Sequence, residues 1–429
     1  MKEKCVFKES GIAWLGKIPK HWNKARGVFL FFNKKELNSN LQCKERLSLT
    51  MEGVIERDIE KNDGLNPADF RTYQIFEKDN LVFKLIDLDN IKTSRVGYVY
   101  KKGIMSSAYI RLIPKKLIYS KYFYYQYYDL YLKHIFNYLG TGVRSTLNSD
   151  ELLNIKVVYP PLKEQKAIAD FLDKKCELIE EFIIKKEQLI TLLEEKKQAL
   201  INEVVSKGLN KNAKFKESGI DYLGQIPTHW EVIRLGLVFS VESGTTPKSD
   251  NRIYYDNGNF IWVNSGDLND NILLDSKRKI TQKALDDYPF LKIFKKESVV
   301  IAMYGATIGK TAILGVDAFC NQACCVLEKN LLYENLYLFY WFNGYRKELI
   351  SMGNGGGQPN ISQDIIKNLK IPLPPLEEQK AIAAYLDTQT QRISSIITKI
   401  KAQIKLMREY KSSLISEATC GRMIIEERI

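Results

Sequence analysis

At 429 residues the chain exceeds what one hydrophobic core usually serves, and roughly two to four domains are expected. A composition of 45% hydrophobic and 27% charged residues excludes a disordered chain, and no stretch approaches the about eighteen apolar residues of a membrane span. The net charge of +13 favours a polyanionic partner, nucleic acid ahead of a membrane surface, with solvated lysines as the competing reading.

The first feature in chain order is Phe7-Lys8-Glu9-Ser10-Gly11-Ile12-Ala13-Trp14-Leu15-Gly16-Lys17-Ile18-Pro19-Lys20-His21-Trp22. It returns 208 positions later from Phe215 to Trp230 with twelve of sixteen residues identical. Glycines, a proline and aromatics in this order predict a fixed irregular lead-in. His21 and His229 are read as structural histidines beside their tryptophans, because no nucleophile or second ligand recurs with them. Seven cysteines without short paired spacing, and no apolar signal core behind Met1, place the chain in a reducing compartment, the cytoplasm.

From about Arg26 to Tyr159 short apolar runs such as Asn80 to Ile86 and Arg95 to Tyr100 predict strands. A tyrosine-rich run, Tyr119 to Tyr138, has helical spacing. It is expected to pack on the sheet, with base stacking as the alternative. Gly140 to Asn148 makes a basic turn. The whole region reads as a mixed α/β module.

Pro160-Pro161-Leu162-Lys163-Glu164-Gln165-Lys166-Ala167-Ile168-Ala169 then opens a long helix, since proline suits a first turn whose N–H groups lack partners anyway. Its second copy starts at Pro374, and eleven of the fourteen residues from Pro160 to Asp173 recur 214 positions later. This is a duplicated protein. A seven-residue register fits the first helix with Leu172, Ile179, Leu193 and Leu200 at one position and Ile168, Phe182 and Leu189 at the other; Lys175, Lys186 and Lys196 interrupt it. In the second helix the register lands on Leu386, Ile393, Ile400, Met407 and Leu414, with Ile382 and Ile396. Two such seams can bury each other as a coiled coil, a spacer of roughly 65 Å for some 45 residues.

Between the helices a second module, about Gly236 to Ile371, resembles the first only loosely, with strands expected at Phe260 to Val263 and Ser298 to Tyr304. A duplicated frame with diverged cargo places any specificity in the cargo. Catalytic motifs are incomplete. Gly305-Ala306-Thr307-Ile308-Gly309-Lys310-Thr311 is one residue short of a phosphate-binding loop and lies between apolar runs, which predicts strand-turn-strand. Cys320, Cys324 and Cys325 lack a second ligand pair for zinc. Neither Pro-Pro pair follows Asn or Asp, as an adenine methyltransferase motif would require.

These motifs together, with Gln358-Pro359-Asn360-Ile361-Ser362, resemble the DNA-specificity subunit of type I restriction-modification enzymes, in order and along the whole chain. The resemblance implies an α/β (α+β) protein with target-recognition domains at 1–159 and 211–373. They alternate with a central helical spacer at 160–210 and a distal one at 374–429, which pair as an antiparallel coiled coil with a pseudo-twofold axis. It implies a non-catalytic DNA-binding subunit reading a bipartite, gapped double-stranded target. The helices would dock two methyltransferase subunits and, through them, restriction/translocase subunits. S-adenosylmethionine, ATP and Mg2+ would reside on those partners, with no cofactor or metal in this chain. Candidate base or phosphate contacts are Arg57, Lys84, Arg95 and Arg144 in the first module, and Lys248, Arg278, Lys310, Gln358 and Asn360 in the second. A coiled-coil adaptor with incidental basic charge is the rival expectation.

Overall fold

The computed structural model describes residues 6–58, 69–89, 93–115, 118–140, 142, 145–328, 330–353, 360–423 and 425. Two compact units emerge: residues 1–186 with 402–429, and residues 187–401. Each long helix, Leu162–Lys207 (central) and Leu376–Thr419 (distal), therefore contributes one half to each unit.

In the first unit a four-stranded sheet runs in the order Gly53–Arg57, Arg46–Thr50, Gly103–Met105, Gln74–Phe76, with only the middle pair parallel. A second, antiparallel sheet runs Phe31–Asn33, Ile110–Pro114, Leu81–Phe83, Val96–Tyr98. Leu47, Leu49, Phe76, Val82, Val99 and Met105 fill the space between strands. The tyrosine-rich run forms the helix Ser120–Leu132. Its Tyr122 and Tyr127 are buried, and Tyr127 meets Phe83 edge-on at 5.2 Å, so these rings serve the core and not base stacking.

The second unit has a five-stranded sheet in the order Val241–Ser243, Cys324–Leu327, Val299–Ala302, Thr311–Leu314, Asn271–Leu273, and a three-stranded one, Lys279–Ile280, Phe260–Val263, Phe319–Cys320. Gly305 to Lys310 turns between Val299–Ala302 and Thr311–Leu314, closed by the Ala302 N–H to Lys310 O and Gly309 N–H to Ala302 O bonds. A strand-turn-strand is thus what this stretch makes.

The repeated motifs are each other's partners. Trp22 Nε1 donates to Glu164 at 2.9 Å, and His21 lies 2.9 Å from the same carboxylate. In the second unit Trp230 Nε1 and His229 meet Glu378 at 3.0 and 2.8 Å. The next residue is a staple: Gln165 donates to Pro160 O and accepts from Tyr119 N–H, both at 2.8 Å. Gln379 does the same with Pro374 O and Glu334 N–H. Lead-in, helix start and module are thereby tied at one point in each unit, although about 140 residues separate His-Trp from Glu-Gln.

The helix seam needs one correction. Leu172, Ile179, Leu386, Ile393, Ile400 and Leu414 are buried as expected, and Leu193, Leu200 and Met407 are half-buried. Phe182, Leu189 and Ile396 instead face solvent. The second seam position lies one residue later, at Cys176, Ile183, Ile190, Lys197 and Val204 on the central helix and Thr390, Ile397, Ile404, Lys411 and Ala418 on the distal one. Four residues, not three, separate it from the first position, because the inner surface tolerates Cys, Thr and Lys where their polar ends find partners. In the second unit Lys197 Nζ donates to Ser394 Oγ at 3.1 Å; in the first, Lys411 pairs with Glu180.

Candidate nucleic-acid interface

In the first unit Arg57 ends an edge strand, half-buried and opposite Arg46. Lys84 follows Leu81–Phe83, its N–H bonded to Arg95 O at 3.0 Å. Arg95 is 2% exposed, and its guanidinium donates to Ile86 O at 3.3 Å and Asp87 O at 2.7 Å. The structure thus places Arg95 as a tie that shapes the loop below it, not on a loop surface. Arg144 lies outside the described residues, as does Gln358.

The second unit gathers its candidates in two places. Lys310 closes the turn described above, and Ile361 N–H donates to Met303 O at 2.8 Å. The exposed Asn360 is thereby brought beside that turn. Arg346 fixes the same turn from behind, donating from Nε to Gly309 O at 3.0 Å and from Nη2 to Asp270 at 2.5 Å.

The other place joins Lys248 and Arg278, which sequence reasoning did not connect. The segment Gly244 to Ser249 is anchored at five backbone points. Thr245 N–H donates to Cys320 O at 2.9 Å, and Thr245 O accepts from Trp262 Nε1 at 3.1 Å. Pro247 O accepts from Tyr255 OH at 2.6 Å, Lys248 N–H donates to Tyr288 OH at 2.9 Å, and Ser249 O accepts from Arg278 Nη2 at 3.1 Å. Gly244 starts the segment where a Cβ would fall 1.8 Å from Cys320 O. Burial pushes the Tyr255 phenol up despite the opposing pull of Arg278, so it stays a neutral donor at physiological pH. The Gly-Thr-Thr-Pro segment followed by Tyr254 and Tyr255 was the available signal for this site.

Burial holds the Cys320, Cys324 and Cys325 thiols up, that of Cys325 to about 12, so they remain protonated packing groups. No group of His, Cys, Asp and Glu suited to a metal ion occurs among the described residues. Nor is any described helix long and apolar enough to cross a membrane.

The comparisons agree with this architecture. A family model described as "Type I restriction modification DNA specificity domain" matches residues 19–195 and again 227–406. The chain therefore belongs to the type I restriction-modification DNA-specificity family and carries two copies of its domain. It is 29% identical over 345 residues to the type I restriction enzyme MjaVIII specificity subunit of Methanocaldococcus jannaschii, covering 77% of each chain. Over 210 residues it is 23% identical to the EcoKI specificity subunit of Escherichia coli K12, covering 47% of this chain and 44% of that one. Among solved structures, a chain from a study of type I restriction-modification complex assembly and conformational transition superposes with TM-score 0.74 at 16% identity, covering 95% of this chain and 99% of that one. The HsdS subunit from Thermoanaerobacter tengcongensis gives TM-score 0.56 at 17% identity, covering 97% and 100%.

Proposed function

We propose that the chain reads DNA sequence for a type I restriction-modification complex in the cytoplasm, each module recognising one half of a bipartite, gapped target, and performs no reaction itself. The observation that carries this reading is the contrast between frame and cargo. The His-Trp/Glu-Gln ties recur bond for bond in the two units, whereas the sheets they support differ in strand number and order. A repeated mount holding two unlike binding faces fits a protein that must address two unlike half-sites. Arg57, Lys84, Lys248, Arg278, Lys310 and Asn360 are the proposed contacts to bases and phosphates among the described residues, together with Arg144 and Gln358.

The long helices supply the proposed docking sites for two methyltransferase subunits. Phe182 and Ile396 occupy the same repeat position, as do Leu192 and Leu406, and all four are exposed apolar side chains. Duplicate apolar positions on a duplicated helix suit two copies of one partner. S-adenosylmethionine, ATP and Mg2+ are assigned to the methyltransferase and restriction subunits.

Co-expression with the modification subunit, followed by methylome sequencing, tests the whole. One divided motif methylated on adenine, present only when this chain is present, is the expected result; partner binding without any sequence preference would make the chain an adaptor instead.

A further inference from the structure

We infer that Arg278 reads a guanine edge in the half-site of the second module, presented by the anchored Gly244 to Ser249 segment; the assignment rests on the sequence-reading function proposed above.

Three observations on Arg278 lead there. Its guanidinium carbon lies 3.4 Å from the centre of the Tyr255 ring and 6.0 Å from that of Trp262, so the planar group is stacked on the phenol ring. Nη2 donates to Ser249 O at 3.1 Å, which fixes rotation within that plane. The residue is nonetheless exposed, and among the described residues no carboxylate pairs with its guanidinium, so its remaining donors are not committed to a protein anion. A free arginine loses rotamer entropy when it engages a ligand; this one has lost most of it already.

The stacking ring belongs to the same assembly. Tyr255 carries Arg278 on its face and holds Pro247 O through its hydroxyl, while Trp262 holds Thr245 O. The guanidinium and the segment beside it are therefore set by one pair of aromatic side chains. Lys248, Arg252 and Lys277 stand exposed in the same two stretches. Acids stand in the same stretches: Asp250, Asp256 and Asp275 are exposed, Asp275 is taken up by Lys279 at 3.1 Å, and Asp267 accepts from the Lys277 N–H at 3.4 Å.

A phosphate needs only charge within reach, which Lys248 or Lys277 supplies. Holding a planar fork in fixed orientation matters for a planar, two-acceptor target, and the guanine O6/N7 edge in the major groove is the one that matches arginine. By the same criterion the buried Arg95 is already committed to carbonyl groups, and Arg346 to Asp270.

The test uses the intact complex with its modification subunit and reads the methylated motif genome-wide for wild type, Arg278→Ala and Arg278→Lys. Expected is the loss of discrimination at one G·C position in the half-site of the second module, about tenfold or more, in both variants, with the other half unchanged. Three results would overturn the assignment: an unaltered motif, uniform weakening that Arg278→Lys restores, as for a phosphate contact, or relaxation of every position in the half-site, as for a collapsed segment. If the wild-type complex marks no divided sequence, the functional reading itself fails and the assignment goes with it. Thermal melting of each variant separates misfolding from altered reading, and Arg278→Lys keeps the charge and the stem should the alanine variant not fold.

Discussion

Lys411 pairs with Glu180 across the helix seam of the first unit, and the positions one repeat away, Lys197 and Ser394, bond in the second. The two contacts exchange the roles of the helices, as an antiparallel duplicated pair requires. Lys411 is only 20% exposed along its side chain, whereas Glu180 is half-exposed. Solvent screening therefore limits the pair to about 1 kcal/mol, which urea denaturation of Glu180→Ala should reveal as a loss of that size. Burial draws the Lys411 ammonium down most strongly, but the Glu180 hydrogen bond and the added pull of Tyr128, Glu180 and Cys176 together outweigh it and the net direction is up. A lysine raised on folding contributes fully below the unfolded value and loses its contribution as pH climbs through the folded one. The stability advantage of wild type over Lys411→Met should be flat through neutral pH and shrink above about pH 10.

Glu378→Ala leaves the fully buried Trp230 with an unpaired indole N–H. A loss of ~1–3 kcal/mol is expected, and Glu378→Gln, which keeps an acceptor, should lose less. Glu164→Ala should behave alike through Trp22. In a Trp230→Phe background the Glu378→Ala penalty should fall, and a double-mutant cycle by urea denaturation measures the difference.

The frame was legible because its residues make the same bonds twice, so selection for one geometry wrote itself into the chain at offsets of 208 and 214. Strands at Phe260–Val263 and Val299–Ala302 were legible from apolar runs alone. The second seam position was not: Phe182 and Leu189 are more apolar than Lys197, Thr390 or Lys411, and hydrophobicity cannot tell an inner seam from an outer face that another surface is suited to cover. The Gly244 to Ser249 anchors were hidden for a different reason. Their partners, Tyr255, Trp262, Arg278, Tyr288 and Cys320, are scattered over more than sixty positions and gather around the pairing of Phe260–Val263 with its two neighbouring strands.

Gly421 turns the end of the distal helix with a φ of +69°. A Cβ there would fall 2.6 Å from Pro19 Cγ and 2.7 Å from the Trp22 ring. Gly421→Ala combines left-handed strain with a clash against a packed lead-in, and ~2 kcal/mol or more should be lost. At Gly208, the counterpart with φ +75°, the nearest atom is the Glu378 carboxylate at 2.8 Å and the Trp230 ring stands back at 3.2 Å. A side-chain carboxylate can move, so Gly208→Ala should cost less, and thermal melts of the two variants give the order.

Ile183 and Phe182 are neighbours on the central helix with opposite fates, 4% and 36% exposed. A charge at Ile183 enters the seam without a partner, so Ile183→Glu should unfold the helix pair, with a loss of several kcal/mol by urea denaturation. Phe182→Glu removes an apolar side chain on the outer face of the helix, where the Lys186 ammonium lies 5.3 Å from the ring centre, and stability should change by no more than about 1 kcal/mol. The same substitution places a carboxylate on the surface proposed to receive a methyltransferase subunit, and co-purification of that subunit should drop at least about tenfold. Ile396→Glu should do likewise at the second copy of the site, and the double variant should retain DNA modules but capture no partner in analytical ultracentrifugation. Were Phe182→Glu to unfold the chain while Ile183→Glu left it intact, the register of the seam would be the one expected from hydrophobicity, with Phe182 inside.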